Sequence, residues 1–189
     1  AVQKEHMPTT PDSAPSTAEN LRGFLLHTFH RQNEGRTQVY AVGRLENGQT
    51  FGLVDTRARP GFYLRISDLE RIRPLARQAG AEIDAGDLTT MDGEPVVRLS
   101  GRTLAGIRRL AGRLQQDQVR TYEADLNHVH HYLIERGLRA SARLCGPWQP
   151  GRDVDRVYID PQLEPCAWEP DLAVLVLDIE TRIETGEVL

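Results

Sequence analysis

GFYLRISDLERIRPLARQAGAEIDAGDLTTMDGEPVVRLSGRTLAGIRRLAGRLQQDQVRTY, residues 61–122, decides the fold. Phe62 to Ile66 is a short apolar run with strand composition. Ser67 with Glu70 makes a capping-box start, and Leu69, Ile72, Leu75, Ala76 and Ala79 follow at helical spacing up to Gly80. Pro74 lacks a donor and crowds the preceding turn, so a short turn and then a helix starting near Pro74 is expected. Two strand-like runs, Ala81–Thr89 and Pro95–Leu99, flank the hairpin signal Met91-Asp92-Gly93. Thr103 can cap a second helix whose Leu104, Ile107, Ala111 and Leu114 share a face, and Val119–Tyr122 closes the unit as a strand. The order βαββαβ predicts a ferredoxin-like arrangement, in which two helices cover one face of a four-stranded antiparallel sheet.

Upstream, Gly23–Phe29 is strand-like, and Thr37–Leu45 alternates with Val39, Ala41, Gly43 and Leu45 on one face. Asn47-Gly48 then Thr50–Val54 reads as a hairpin with φ > 0 at both turn positions. A small antiparallel β unit over 21–55 therefore precedes the ferredoxin-like unit over 60–125, giving an α+β chain. Residues 1–20 are rich in Pro, Ser, Thr and Ala and nearly free of large apolar side chains, which predicts a flexible tail. Downstream, Asn127 can cap a helix carrying Val129, Tyr132 and Leu133 and ending at Gly137, and short strands are expected near Ala140–Cys145 and Arg156–Ile159. A link over 161–170, marked by Pro161, Pro165 and Pro170, separates this body from an apolar strand, Ala173–Asp178, that opens a further unit over 171–189.

The 189 residues carry a net charge of −4, with 39% hydrophobic and 26% charged residues, a composition of ordinary globular proteins. The longest strongly apolar run, Leu172–Leu177, is far too short to span a bilayer, so no membrane partner is expected. Net charge gives no general attraction to nucleic acid, but the charge is polarised along the chain. Five arginines (Arg98, Arg102, Arg108, Arg109, Arg113) fall in a stretch without an acid, whereas Asp153–Glu187 is acid-rich. Cys145 and Cys166 form no CxxC pair, which argues against a zinc site or disulfide framework and fits reduced thiols in a cytoplasmic protein.

The sharpest chemical feature is Leu175-Val176-Leu177-Asp178-Ile179-Glu180-Thr181. Carboxylates spaced i, i+2 on a strand project from the same face and can share divalent cations, for which hard oxygen ligands suit Mg2+ or Mn2+. The same residues also fit an ordinary strand ending in a solvated turn, and spacing alone does not separate the two. Arg102, Arg109 and Arg113 fall near one face of the helix from Thr103, opposite Leu104, Ile107 and Leu114. That face suits phosphate contact with a single strand, or simply solvation of the helix. His128, His130, His131 and Glu135 offer ligand types for a metal, but no catalytic partner accompanies them, and exposed imidazoles at a helix N-terminus are expected. Trp148 and Trp168, near prolines, are expected as loop packing anchors. The paired aromatics of RNA-recognition modules are not found on the middle strands.

Asp178-Ile179-Glu180-Thr181 after an apolar strand resembles the first exonuclease motif of family B DNA polymerases. Thr121-Tyr122-Glu123-Ala124-Asp125-Leu126 with Tyr132-Leu133-Ile134-Glu135-Arg136 resembles the segment preceding that motif in the bacterial DNA polymerase II branch, and Pro60-Gly61-Phe62-Tyr63-Leu64 resembles a strand early in the family's N-terminal domain. The likeness runs from about Phe24 to Thr181. It implies a DNA-directed DNA polymerase with 3′→5′ proofreading, acting in replication or repair. Asp178 and Glu180 would hold Mg2+ or Mn2+ at the first strand of a ribonuclease H-like exonuclease domain, and single-stranded template DNA would run beside the N-terminal domain. The family completes that site with further carboxylates and polymerises with a palm domain, so the present chain alone is expected to be inactive and to bind no metal. Its apolar strand over 173–178, left without a sheet, would favour self-association. A stand-alone nucleic-acid-binding α+β module and a small ribonuclease H-like nuclease are the alternatives.

Overall fold

The computed structural model describes residues 19–178 and shows an α+β fold built on two sheets. The first sheet begins with a long hairpin, β1 (Glu19–Asn33) and β2 (Arg36–Leu45), followed by β3 (Thr50–Asp55). Then come β4 (Gly61–Arg65), α1 (Leu69–Gln78), β5 (Glu82–Thr89), β6 (Pro95–Ser100), α2 (Leu104–Gln116) and β7 (Thr121–Tyr122). The chain continues as α3 (His128–Glu135), β8 (Ser141–Gly146), β9 (Trp148–Gln149), β10 (Arg156–Ile159) and β11 (Gln162–Pro165).

The four-stranded sheet has the order β5-β6-β4-β7, with all its pairs antiparallel. This is the ferredoxin-like order expected from the βαββαβ pattern. Phe62, Leu64, Val97 and Leu99 point to one face, where Ile72 and Ala76 of α1 and Ile107, Leu110, Ala111 and Leu114 of α2 close a core. Thr103 caps α2 by accepting from the Gly106 N–H at 3.0 Å. Helix α1 departs from expectation. A single 3-10 turn (Ile66–Asp68) leads into it, no side chain caps it, and it runs unbroken through Pro74. Pro74 is exposed, so the carbonyl it leaves unbonded lies on the water side, while Ile72 and Ala76 anchor the opposite face.

The other sheet is larger than the expected β unit. Its order is β11-β8-β1-β2-β3-β10-β9, so strands returning after α3 flank the opening hairpin on both sides, and β10 lies parallel to β3. Ala41, Leu45, Phe51, Leu53, Leu144 and Tyr158 form its core. Gly43 is required here, because a Cβ would lie 2.0 Å from the Phe24 carbonyl oxygen and 2.7 Å from the Phe51 ring. The β1–β2 turn has positive φ at both Glu34 and Gly35, the geometry of a two-residue hairpin. In the β2–β3 turn only Gly48 has positive φ. Asn47 instead accepts the Gln49 N–H through its side chain, because four loop residues relax the need for a mirror-image turn.

Three further expectations change. Glu19 and Asn20, assigned to the tail, pair with Gly146 and Cys145, and the remaining tail residues lie outside the described part. The proline-marked link contains β11, which pairs with β8. Residues 171–178 form no strand: they are exposed and find no pairing edge among the described residues. Val174, Leu175, Val176 and Leu177 are each about four-fifths exposed, at 79%, 80%, 83% and 81%.

Candidate nucleic-acid interface

The carboxylate pair is only half visible. Asp178 is exposed at the last described position, and Glu180 lies outside the described residues. No group of three or more His, Cys, Asp or Glu side chains among the described residues could hold a metal ion. Asp178 alone does not make a two-metal centre.

The arginines divide. Arg109 and Arg113 are exposed one turn apart on the outer side of α2, and Arg113 pairs with Asp117 at 3.4 Å. Arg102 is exposed too but precedes the helix. Thr103 after it is extended (φ −128, ψ 139), so helical phasing does not extend to Arg102, whose carbonyl accepts the Thr37 N–H at 2.8 Å. The three arginines therefore form no single helical stripe.

The histidines are not the exposed group expected. Asn127 caps α3, accepting from the Val129 and His130 N–H groups. Helix α3 lies against the open face of the four-stranded sheet through Tyr63 and Arg98, with His128 and His131 buried and His130 facing water. Glu135 Oε1 accepts from Arg98 Nε at 2.5 Å and from the Tyr63 hydroxyl at 3.2 Å. Arg98 also donates to the Arg59 carbonyl at 2.7 Å. His131 Nε2 lies 3.0 Å from Glu123 Oε2 without aligning for a hydrogen bond. The Tyr63 hydroxyl is pushed up to about 12, first by burial and then by the Glu135 charge. His128 is held down to about 4, first by burial, then by His30, His131, Arg98 and Arg108. On the other side of α3 the Tyr132 hydroxyl donates to buried Asp55 at 2.8 Å; burial first, and then the Asp55 charge, raise the pKa of the Tyr132 hydroxyl strongly. This polar layer mortars the two sheets together, and every charged member has a neighbour of opposite sign, so it reads as structural.

The tryptophans pack as expected of anchors. Trp148 lies on the large-sheet core with Arg156 4.1 Å over its ring, and Trp168 lies under Arg22 at 5.8 Å. Cys145 and Cys166 are free, and burial raises the Cys145 thiol.

The sequence reading missed the outer face of β1. A register shift between Leu25 and His27 inserts an extra residue opposite β2. Before it, Arg22 and Phe24 point away from the core side occupied by Leu21 and Leu25. After it, His27, Phe29 and Arg31 do so. Unbroken alternation would have placed the second set inside. The rings of His27 and Phe29 stack at 5.5 Å and 23°, Phe29 and Tyr40 of β2 at 5.3 Å and 9°, and the Arg31 guanidinium sits 5.2 Å over Phe29. The alternation of aromatic and basic residues in Arg22–Arg31 was the available signal, and the extra residue hid it.

No family model and no curated protein matches the chain. Among solved structures, the family B DNA polymerase of the hyperthermophilic archaeon Pyrobaculum calidifontis is similar in fold, with a TM-score of 0.63 and 22% identity over 88% of this chain. The match covers 23% of that polymerase, so the chain spans about a quarter of its length. The described residues thus have the α+β fold of one portion of a family B DNA polymerase.

Proposed function

We propose that this chain is the front end of a DNA-directed DNA polymerase with 3′→5′ proofreading, akin to the bacterial DNA polymerase II branch, and that its two-sheet body contacts single-stranded template DNA. The observation that carries the reading is one fold likeness, extending over 88% of the chain, to a family B polymerase. The motif Asp178-Ile179-Glu180-Thr181, placed after that body, supports it. In this reading Asp178 and Glu180 contribute to a centre for Mg2+ or Mn2+ that needs carboxylates from later motifs, and the 189 residues alone do not catalyse. The bound ions would activate water and steady the leaving oxygen.

The coding frame beyond Leu189 tests the parentage. Several hundred further codons carrying aspartate motifs are expected, and an immediate stop would overturn the reading. Isothermal titration of Mn2+ into the chain tests the half-built centre. Weak heats, equal for the chain and for Asp178→Ala, are expected. Tight binding lost in Asp178→Ala would point to a stand-alone nuclease.

A further inference from the structure

We propose that the outer face of β1, backed by the buried ring of Tyr40 of β2, is a stacking platform for single-stranded DNA. The inference rests on the template-contact reading above and names the surface that reading leaves open. Three features of the face fit a nucleic-acid strand rather than another protein. First, aromatic and cationic groups interleave along one strand: Arg22, Phe24, His27, Phe29 and Arg31, with Trp168 beside Arg22 at one end. Bases stack on such rings while guanidinium groups meet phosphates. Second, the rings are already ordered. His27, Phe29 and Tyr40 form a continuous stack, and exposed His27 leaves that stack open at its outer end. Ordering side chains in advance removes part of the entropy cost of binding.

Third, the face has the complementary charge. Arg22, Arg31, Arg44 and Arg143 stand on it, four cations, against Glu46, Glu164 and Asp155, three acids; Arg44 lies opposite Phe24, Arg143 lies between Arg22 and Glu164, and Asp155 holds Thr50 across from Arg44. Glu46 is already engaged by Arg22, through its side chain at 2.7 Å and its backbone N–H at 2.8 Å. The surplus is local, in a chain whose net charge is −4. Arg22 to Arg31 spans roughly 30 Å at about 3.3 Å per residue. The register shift in β1 puts the two halves of the strip on one face, and bulges of this kind commonly re-aim side chains next to functional sites.

The test uses the whole chain and a fluorescein-labelled oligothymidylate of about 20 nucleotides, longer than the ~4–16 that one comparable β fold covers. Anisotropy should show binding that weakens as salt rises from about 50 to 200 mM. His27→Ala changes an exposed residue, and Phe29→Leu keeps the apolar volume. Each should weaken binding roughly 5- to 100-fold, while Phe29→Trp stays within about two-fold of the parent. The double variant Arg109→Gln with Arg113→Gln should also stay within about two-fold. If the α2 variant loses binding and the His27 and Phe29 variants keep it, the platform is wrong and template contact lies on α2. If the parent chain binds at neither salt concentration, the platform and the template contact both fail, while the coding frame still judges the polymerase parentage on its own.

Discussion

His128 shows what a single buried side chain does to this protein. Its imidazole is buried beside His30 and His131, and burial with the cations Arg98 and Arg108 holds its pKa down to about 4. In the unfolded chain it titrates near 6.5. Between those values the unfolded state binds more protons than the folded state, so stability rises with pH across that window. The contribution is complete above about pH 6.5 and is lost as pH falls toward 4. Urea melts at pH 7 and pH 5 should show a loss that shrinks markedly in His128→Leu, which has nothing to protonate. An equal loss in both proteins would assign the acid sensitivity elsewhere. The sequence hid this histidine because its burial depends on which sheet α3 covers. The Asn127 cap was legible, since it needs only local hydrogen bonds. The face of α3 turned inward was not, since long-range partners such as Arg98 and Tyr63 choose it.

At the level of elements, local chemistry read well wherever the backbone alone decides. Thr103 and Asn127 cap their helices, Gly80 and Gly137 take the left-handed conformation at helix ends, and Gly93 takes it in a hairpin. The ferredoxin-like order followed from these signals with the apolar periodicity. Expectation failed where packing overrode local cost. Pro74 inside α1 removes a hydrogen bond and strains the turn before it, yet Ile72 and Ala76, at 1% and 0% exposure, keep the helix in register. A helix-interior proline costs about 3 kcal/mol relative to alanine, and its restriction of the unfolded chain returns about 0.4–1 kcal/mol. Pro74→Ala should therefore stabilise the protein by about 2–2.6 kcal/mol, read as a higher urea midpoint at unchanged slope. A lower midpoint would mean that the proline ring packs in a way its exposure does not suggest. The register shift in β1 belongs here as well. One residue inserted in a 15-residue strand decides which rings share a face, and no periodicity count survives such an insertion.

Across the whole molecule, the chain returns after α3 to finish the sheet it began with, so β8 and β10 pair with β1 and β3 more than a hundred residues away. Such pairings carry no local signature, and so the seven-stranded sheet was not legible although most of its strands were. The same closure leaves one apolar run without a place. Val174, Leu175, Val176 and Leu177 are exposed beyond β11, and a row of four large aliphatic side chains in water is a strong driver of association. Each side chain withdrawn from water contributes about 1.5–3 kcal/mol, and the eight from two copies, roughly 12–24 kcal/mol together, set against about 4–15 kcal/mol of lost freedom, favour association. The 189-residue chain should therefore show a mass by light scattering that rises with concentration, and Leu175→Glu with Leu177→Glu should return it to a monomer without changing the melting temperature. The double substitution separates two origins of association. If β5, the exposed edge of the four-stranded sheet, were the sticking point, the glutamates would leave the mass unchanged. If residues 174–177 drive it, removing their apolar surface abolishes association, while the DNA binding proposed for the outer face of β1 should be unaffected, because the two surfaces share no residue.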